Sequence, residues 1–205
     1  MGMADFWPEL SRLRHSFADQ IESLDENAWN ADSWCDGWRV RDVLGHLVHL
    51  AEATQVSMIR DVIREGGRPD RALSRVARGL GAEPVPDLTR RLRASAGGRF
   101  HVLGTPRAVA LGEVLVHGSD ALRPLSMELD ARPADVAEVL DVYRRFGRLA
   151  FHAPSHRGVR LVATDLDWAH GDGPHVSGRA VDLLLLLANR RQVLSSLSGP
   201  GVASL

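Results

Sequence analysis

The sequence predicts a mainly α protein: a four-helix bundle over residues 1–129, followed by a small α+β domain over residues 130–205. Three observations carry this. Apolar residues recur at helical spacing through long stretches of the first part. Gly and Pro mark the breaks between those stretches. After Leu129 the pattern changes and admits an alternating segment.

The elements follow in order. Phe6, Leu10, Leu13, Phe17, Ile21 and Leu24 predict a helix from Asp5 to about Asn27, and a polar break with Trp29 and Trp34 follows it. A second helix is expected from Trp38 to about Arg64, about seven turns with a stripe that includes Val40, Leu44, Leu47 and Ala51. Gly66-Gly67-Arg68-Pro69 ends it. The stretch Asp70–Val85 is weakly patterned and broken by glycines and prolines, and a short helix is expected over Asp87–Ala96. Thr105-Pro106 reads as an N-cap with Pro in the first turn, opening a helix to about Arg123 that Pro124 closes. Two long helices, a shorter one and this last one suit a four-helix bundle. Beyond it, Pro133 opens a helix over Ala134–Phe151, Gly158–Thr164 alternates as a strand, and Asp167–Val176 turns back as a second strand. Ser177-Gly178 is expected to cap an apolar helix over Ala180–Asn189, with the chain frayed from Ser195.

Composition limits the function classes. A 22.4 kDa chain buries roughly 70% of its unfolded surface and needs neither disulfide nor metal merely to fold. With 44% hydrophobic and 25% charged residues it is not collagen-like, disordered or a coiled coil. A net charge of −1 gives no global field toward nucleic acid or an anionic membrane, so neither is an expected partner. One cysteine, Cys35, excludes an intramolecular disulfide and suits a reducing compartment. The longest apolar run, Leu183–Ala188, is too short to span a bilayer, and Met1–Leu10 lacks a signal-peptide pattern, so the cytoplasm is the expected location.

The chemistry concentrates in LGEVLVHGSD, residues 111–120. Glu113 and His117 stand four apart, on one helix face, the spacing by which a helix delivers two ligands to one metal ion. Asp120 lies three further on. The same pair is also explained by a plain Glu–His hydrogen bond, or by an ion pair to an arginine of another helix. A third ligand has two candidates on the second predicted helix. On a helical wheel His46 falls about 120° from the centre of the apolar stripe and flanks the bundle interior, while His49 falls about 180° away, on the solvent side, with Glu52 also off the stripe. From this helix alone, a satisfied boundary histidine is the better account of His46.

Three stretches together resemble a known family. WCDGWRVRDVLGHL (residues 34–47) resembles the N-terminal signature of the mycothiol-dependent maleylpyruvate isomerase family, within the DinB-like superfamily of metal-binding four-helix bundles. EVLVHGSD (113–120) resembles its second signature. Asp167-Trp168, the Gly-rich stretch to Gly178 and Leu183–Arg190 resemble its small C-terminal domain. Residues 70–104 match least, and Asp36 and Ser119 depart from the pattern, where Pro and an aromatic are common.

The resemblance implies His46, Glu113 and His117 as ligands of a divalent metal with an open position, zinc being the first expectation; nickel and iron suit the same ligand types. It implies mycothiol as co-substrate, activated as a metal-bound thiolate for attack on a small electrophile, in a transferase or isomerase. Asp120 is then the candidate catalytic group, orienting His117 or accepting a polar group of the thiol. Arg123 and Arg179 are candidates for an acidic substrate. Cys35 and Trp29, Trp34 and Trp38 read as structural, and His101, His152, His156, His170 and His175 converge on nothing by spacing. Two alternatives stand beside this reading: a hydrolase that uses the metal to activate water, and a non-catalytic binding module on the same bundle.

Overall fold

A computed structural model of the chain describes residues 6–150 and 156–205, without the side chains of 146–150. It divides into two compact units, the first ending at Asp130 and the second running from Ala131 to Leu205.

The first unit is helical. The periodic apolar residues of the N-terminal stretch form α1 (Phe6–Glu22), and Leu10, Leu13, Phe17 and Ile21 are fully buried. A short α2 (Glu26–Asn30) follows, capped by Asp25, whose carboxylate accepts from the Ala28 N–H. The predicted first helix is thus two. The second also divides, into α3 (Val40–Glu52) and α4 (Gln55–Arg64). Ala53 is extended, and Thr54 and Ser57 exchange hydrogen bonds in a capping box: the Ser57 N–H donates to Thr54 Oγ1 at 3.1 Å and the Thr54 N–H to Ser57 Oγ at 2.9 Å. The apolar stripe continues through this break and concealed it.

The weakly patterned stretch forms a further helix, α5 (Pro69–Gly81), with Pro69 in its first turn. Its sparse apolar positions suffice because α5 lies very close to α3. A Cβ built on Gly45 would stand 2.6 Å from the Ala77 carbonyl oxygen, so only glycine permits the approach. Next come α6 (Val85–Ala94) and α7 (Ala108–Leu122). Helices α1, α3, α6 and α7 pack mutually around Leu44, Leu47, Leu88, Leu92, Leu111 and Leu115, all at most 1% exposed. Each such side chain contributes roughly 1.5–3 kcal/mol by leaving water. Thr105 does not cap α7: its hydroxyl donates to the Val102 carbonyl in the preceding turn, and Arg107 holds the cap position. Beyond α7 the chain tightens into a 3-10 turn over Arg123–Leu125 instead of stopping at Pro124.

In the second unit, α8 (Pro133–Ala150) packs on α9 (Ala180–Leu187), every residue of which is buried. Phe151, placed by the sequence at the end of the first of these helices, lies outside the described residues. Three strands form one sheet in the order β2-β1-β3, where β1 is Arg160–Ala163, β2 is Ala169–His170 and β3 is His175–Gly178. β2 pairs antiparallel with β1 (Leu161 opposite His170), and β3 pairs parallel to it (Leu161 opposite Val176). Two corrections to the sequence reading follow. Ser177 lies in β3 and does not cap α9; the Asp165 carboxylate accepts the Ala180 N–H at 2.7 Å. The C-terminal residues are ordered: Ser198 pairs with Ser177 across the sheet edge, and buried Gly201 sits in a 3-10 turn over Pro200–Ser204.

Candidate metal centre

His46 sits mid-way along α3, and Glu113 and His117 stand one turn apart on α7. The packing of α3 on α7 brings the three together, with a donor atom of each lying within 4.8 Å of the others. His46 Nε2 lies 3.2 Å from Glu113 Oε2, and His117 Nε2 lies 3.4 Å from the same oxygen. The first is a long hydrogen bond. Both separations also match the spacing of two ligand atoms each about 2.0–2.1 Å from a shared tetrahedral ion.

Electrostatics agrees with this donor set. Burial pushes His46 below the ordinary histidine range, which keeps it neutral as a ligand must be. Burial alone would raise the Glu113 carboxyl; hydrogen bonds from His117 and His46 more than reverse this and hold it ionised, well below the usual carboxylate range. His117 is opposed by burial, but its contacts with Cys35, Asp120 and Glu113 prevail and raise it well above the ordinary value. His46 Nδ1 is buried and has no hydrogen-bond partner.

The outer side of His117 is a built scaffold. Asp120, fully buried, stands with Oδ2 3.1 Å from His117 Nδ1. A carboxylate only accepts, so Nδ1 carries a proton, and on loss of the other proton the Nε2 lone pair faces Glu113 and His46. Cys35 lies 3.3 Å from the same His117 nitrogen and donates to Asp120 Oδ2 at 3.0 Å. A tight turn carries it, with the Trp38 N–H donating to the Cys35 carbonyl and Gly37 at φ +70°. The Trp34 N–H donates to the Asp120 carbonyl and ties this turn to α7. The Trp38 ring lies 5.1 Å from that of His46 and 6.0 Å from that of His117. Cys35 and Trp38 therefore belong to the cluster, a role that spacing along the chain did not reveal. Cys35, His117 and Asp120 form a second set of donor atoms close enough to share an ion, joined to the first through His117.

The inner side is different. His46 and Glu113 form part of the wall of a cavity of about 240 Å³, whose other walls include Met58, Val62, Leu73 and Phe100. His101 lines it as well, although its place in the chain gave no sign of this. His49 departs from the expected solvent position. It is only 12% exposed and faces Asp61 of α4 at 3.8 Å, because the chain turns at Ala53 and lays α4 over this side of α3. Arg123 lies against the Trp34 ring and pairs with Glu128 at 3.3 Å. Arg179 caps α9 in the second unit. His170 and His175 are exposed, on β2 and β3, and His152 lies outside the described residues.

A helical bundle that gathers two histidines and a glutamate at the wall of an apolar cavity defines the class of protein. The family model of the mycothiol maleylpyruvate isomerase N-terminal domain matches residues 10–122, more than half of the chain, and the chain belongs to that family of enzymes. No curated protein matches it. A crystal structure of the mycothiol-dependent maleylpyruvate isomerase is similar with a TM-score of 0.61 and 15% identity, covering 98% of this chain and 93% of that one. A histidine-to-alanine mutant of that enzyme is similar with a TM-score of 0.60 and 14% identity over the same shares. At that identity the likeness shows the shared fold, mainly helical with a small sheet.

Proposed function

We propose that the protein is a metal-dependent enzyme that uses a small thiol, mycothiol, to act on a small electrophile, as an isomerase or S-transferase. The observation that carries this reading is the convergence of His46 Nε2, Glu113 Oε2 and His117 Nε2 beside a cavity. Two imidazoles and a carboxylate suit a catalytic zinc ion with an open position. An ion held there supplies Lewis acidity, under which a thiol ionises near neutral pH. The rest is the work of the chain. Glu113 offers a charge that burial would otherwise disfavour, and His46 stays neutral. Asp120 is a positioning residue: its complete burial favours holding His117 over touching a thiol's polar groups. Addition of sulfur to one carbon of a cis double bond, rotation, and departure of sulfur with its electron pair isomerise the bond. Addition without reversal transfers the sulfur. The apolar walls exclude water, which disfavours the hydrolytic alternative.

Among the described residues no helix is long and apolar enough to cross a membrane. We place the enzyme in the cytoplasm, with the single cysteine, which allows no intramolecular disulfide, in support. The test is metal analysis of the purified protein followed by turnover assays with and without mycothiol. One equivalent of divalent metal and thiol-dependent turnover are expected. Turnover of amides without thiol, or no metal under replete conditions, would contradict the proposal.

A further inference from the structure

We infer that Cys35 Sγ, Asp120 Oδ2 and His117 Nδ1 form a second metal site, for a divalent transition-metal ion of about the size of zinc. It fills beside the first site, with the His117 ring shared between the two ions. The inference rests on the metal-centre reading above and goes beyond it, because the two donor sets use opposite nitrogens of one imidazole. His117 Nε2 faces Glu113, whereas Nδ1 faces Asp120 and Cys35.

The three atoms form a small triangle. Asp120 Oδ2 lies 3.1 Å from His117 Nδ1 and 3.0 Å from Cys35 Sγ, and Sγ lies 3.3 Å from Nδ1. A tetrahedral zinc ion with nitrogen and oxygen at about 2.0–2.2 Å and sulfur at about 2.3 Å has edges of roughly 3.3–3.6 Å. The triangle therefore has to open by about half an ångström at most. Sulfur and Nδ1 each have one proton to give, and both protons are directed at the Asp120 carboxylate. An ion takes the place of both at once. Bonds form from Sγ, Nδ1 and Oδ2, and the thiol proton and the ring proton leave to solvent.

The fold holds this set in shape without an ion. Asp120 is fully buried, and its carbonyl accepts the Trp34 N–H at 2.9 Å. The Cys35 N–H donates to Ser33 Oγ at 3.1 Å, and the Cys35 carbonyl accepts the Trp38 N–H at 3.0 Å. The backbone of Cys35 is thus fixed, and its sulfur reaches an ion by side-chain rotation. Charge agrees as well, since buried ions need compensating partners. Glu113, Asp120, the Cys35 thiolate and His117 without either ring proton together carry as much negative charge as two dications carry positive.

The experiment uses full-length protein loaded with one equivalent of zinc, free of thiol and oxygen, and titrates cobalt(II) into it. Cobalt(II) has nearly the radius of zinc(II), takes the same tetrahedral geometry and is held less tightly by such donors, so it leaves the ion already bound in place. Elemental analysis after desalting should find one zinc and one cobalt per chain. X-ray absorption reads each metal separately, and should show sulfur at the cobalt edge with nitrogen and oxygen alone at the zinc edge. Cys35→Ser should still take up zinc but bind cobalt at least about a hundredfold more weakly, without thiolate-to-cobalt charge-transfer absorption. Should that variant fail to fold, the two edges of the wild type decide alone. Release of zinc on adding cobalt, a cobalt shell without sulfur, no second equivalent, or undiminished cobalt binding by Cys35→Ser overturns the inference and leaves the metal-centre reading standing. Cobalt bound through sulfur in a protein that takes up no zinc overturns the metal-centre reading and leaves the second donor set standing.

Discussion

The two sides of the His–Glu–His cluster are built differently. On one side, Cys35, Asp120 and the Trp34–Trp38 turn surround His117 Nδ1 with hydrogen bonds and buried charge. On the other, His46 and Glu113 face walls of Met, Val, Leu and Phe side chains. The first side has partners already and fixes geometry; the second has bare apolar surface and room. Position is held from behind so that the front stays open for a ligand.

The comparison breaks most completely if the shared ligands go. His46→Ala should abolish stoichiometric metal binding and lower turnover on the order of a thousandfold, measured by elemental analysis and initial rates. Damage to the hydrogen-bonded side alone should be smaller. Asp120→Asn keeps the shape but removes the charge behind His117, and metal affinity should fall about 10–100-fold in competition with a chelator. A variant that keeps full affinity would show that Asp120 does not orient the ligand.

Gly45→Ala attacks the support of the apolar side, because α5, which carries Leu73, approaches α3 at this glycine. Overpacking there should cost about 1–3 kcal/mol in urea unfolding.

Protons give the finest distinction. His117 is raised and stays protonated near pH 7 without metal, whereas His46 and Glu113 are already in their binding forms. Zinc uptake at pH 7 should therefore release about one proton, read by calorimetry in buffers of different ionisation enthalpy. The signs oppose each other in the metal-free fold. The contribution of His117, whose folded value is raised, is present below the unfolded value of about 6.5 and is lost as pH rises through its folded value. That of His46, whose folded value is lowered, is present above about 6.5 and is lost as pH falls toward its folded value.

Much of this was legible in the sequence. The i, i+4 spacing of Glu113 and His117 and the wheel position of His46 are local properties of helices that made these residues candidates, and the family resemblance joined them into the set that the fold brings together. What was hidden depends on contacts between distant segments or on short capping motifs. The break at Ala53 rests on the Thr54–Ser57 box, and missing it left His49 in solvent when α4 in fact lies over it. Helix α5 is held by a close approach at Gly45 that no periodicity records. Cys35 reaches His117 only because a four-residue turn, tied by Trp34 to α7, delivers it across 82 positions of sequence. The cavity itself is a property of six segments at once.

X-ray absorption on the zinc-loaded protein, before and after mycothiol, tests the central claim most directly, because it separates the two donor sets that share His117. The account predicts a thiol-free shell of nitrogen and oxygen alone at about 2.0–2.1 Å, to which mycothiol adds one sulfur at about 2.3 Å. Sulfur in the shell before any thiol is added would place the ion on Cys35 instead, and would contradict it.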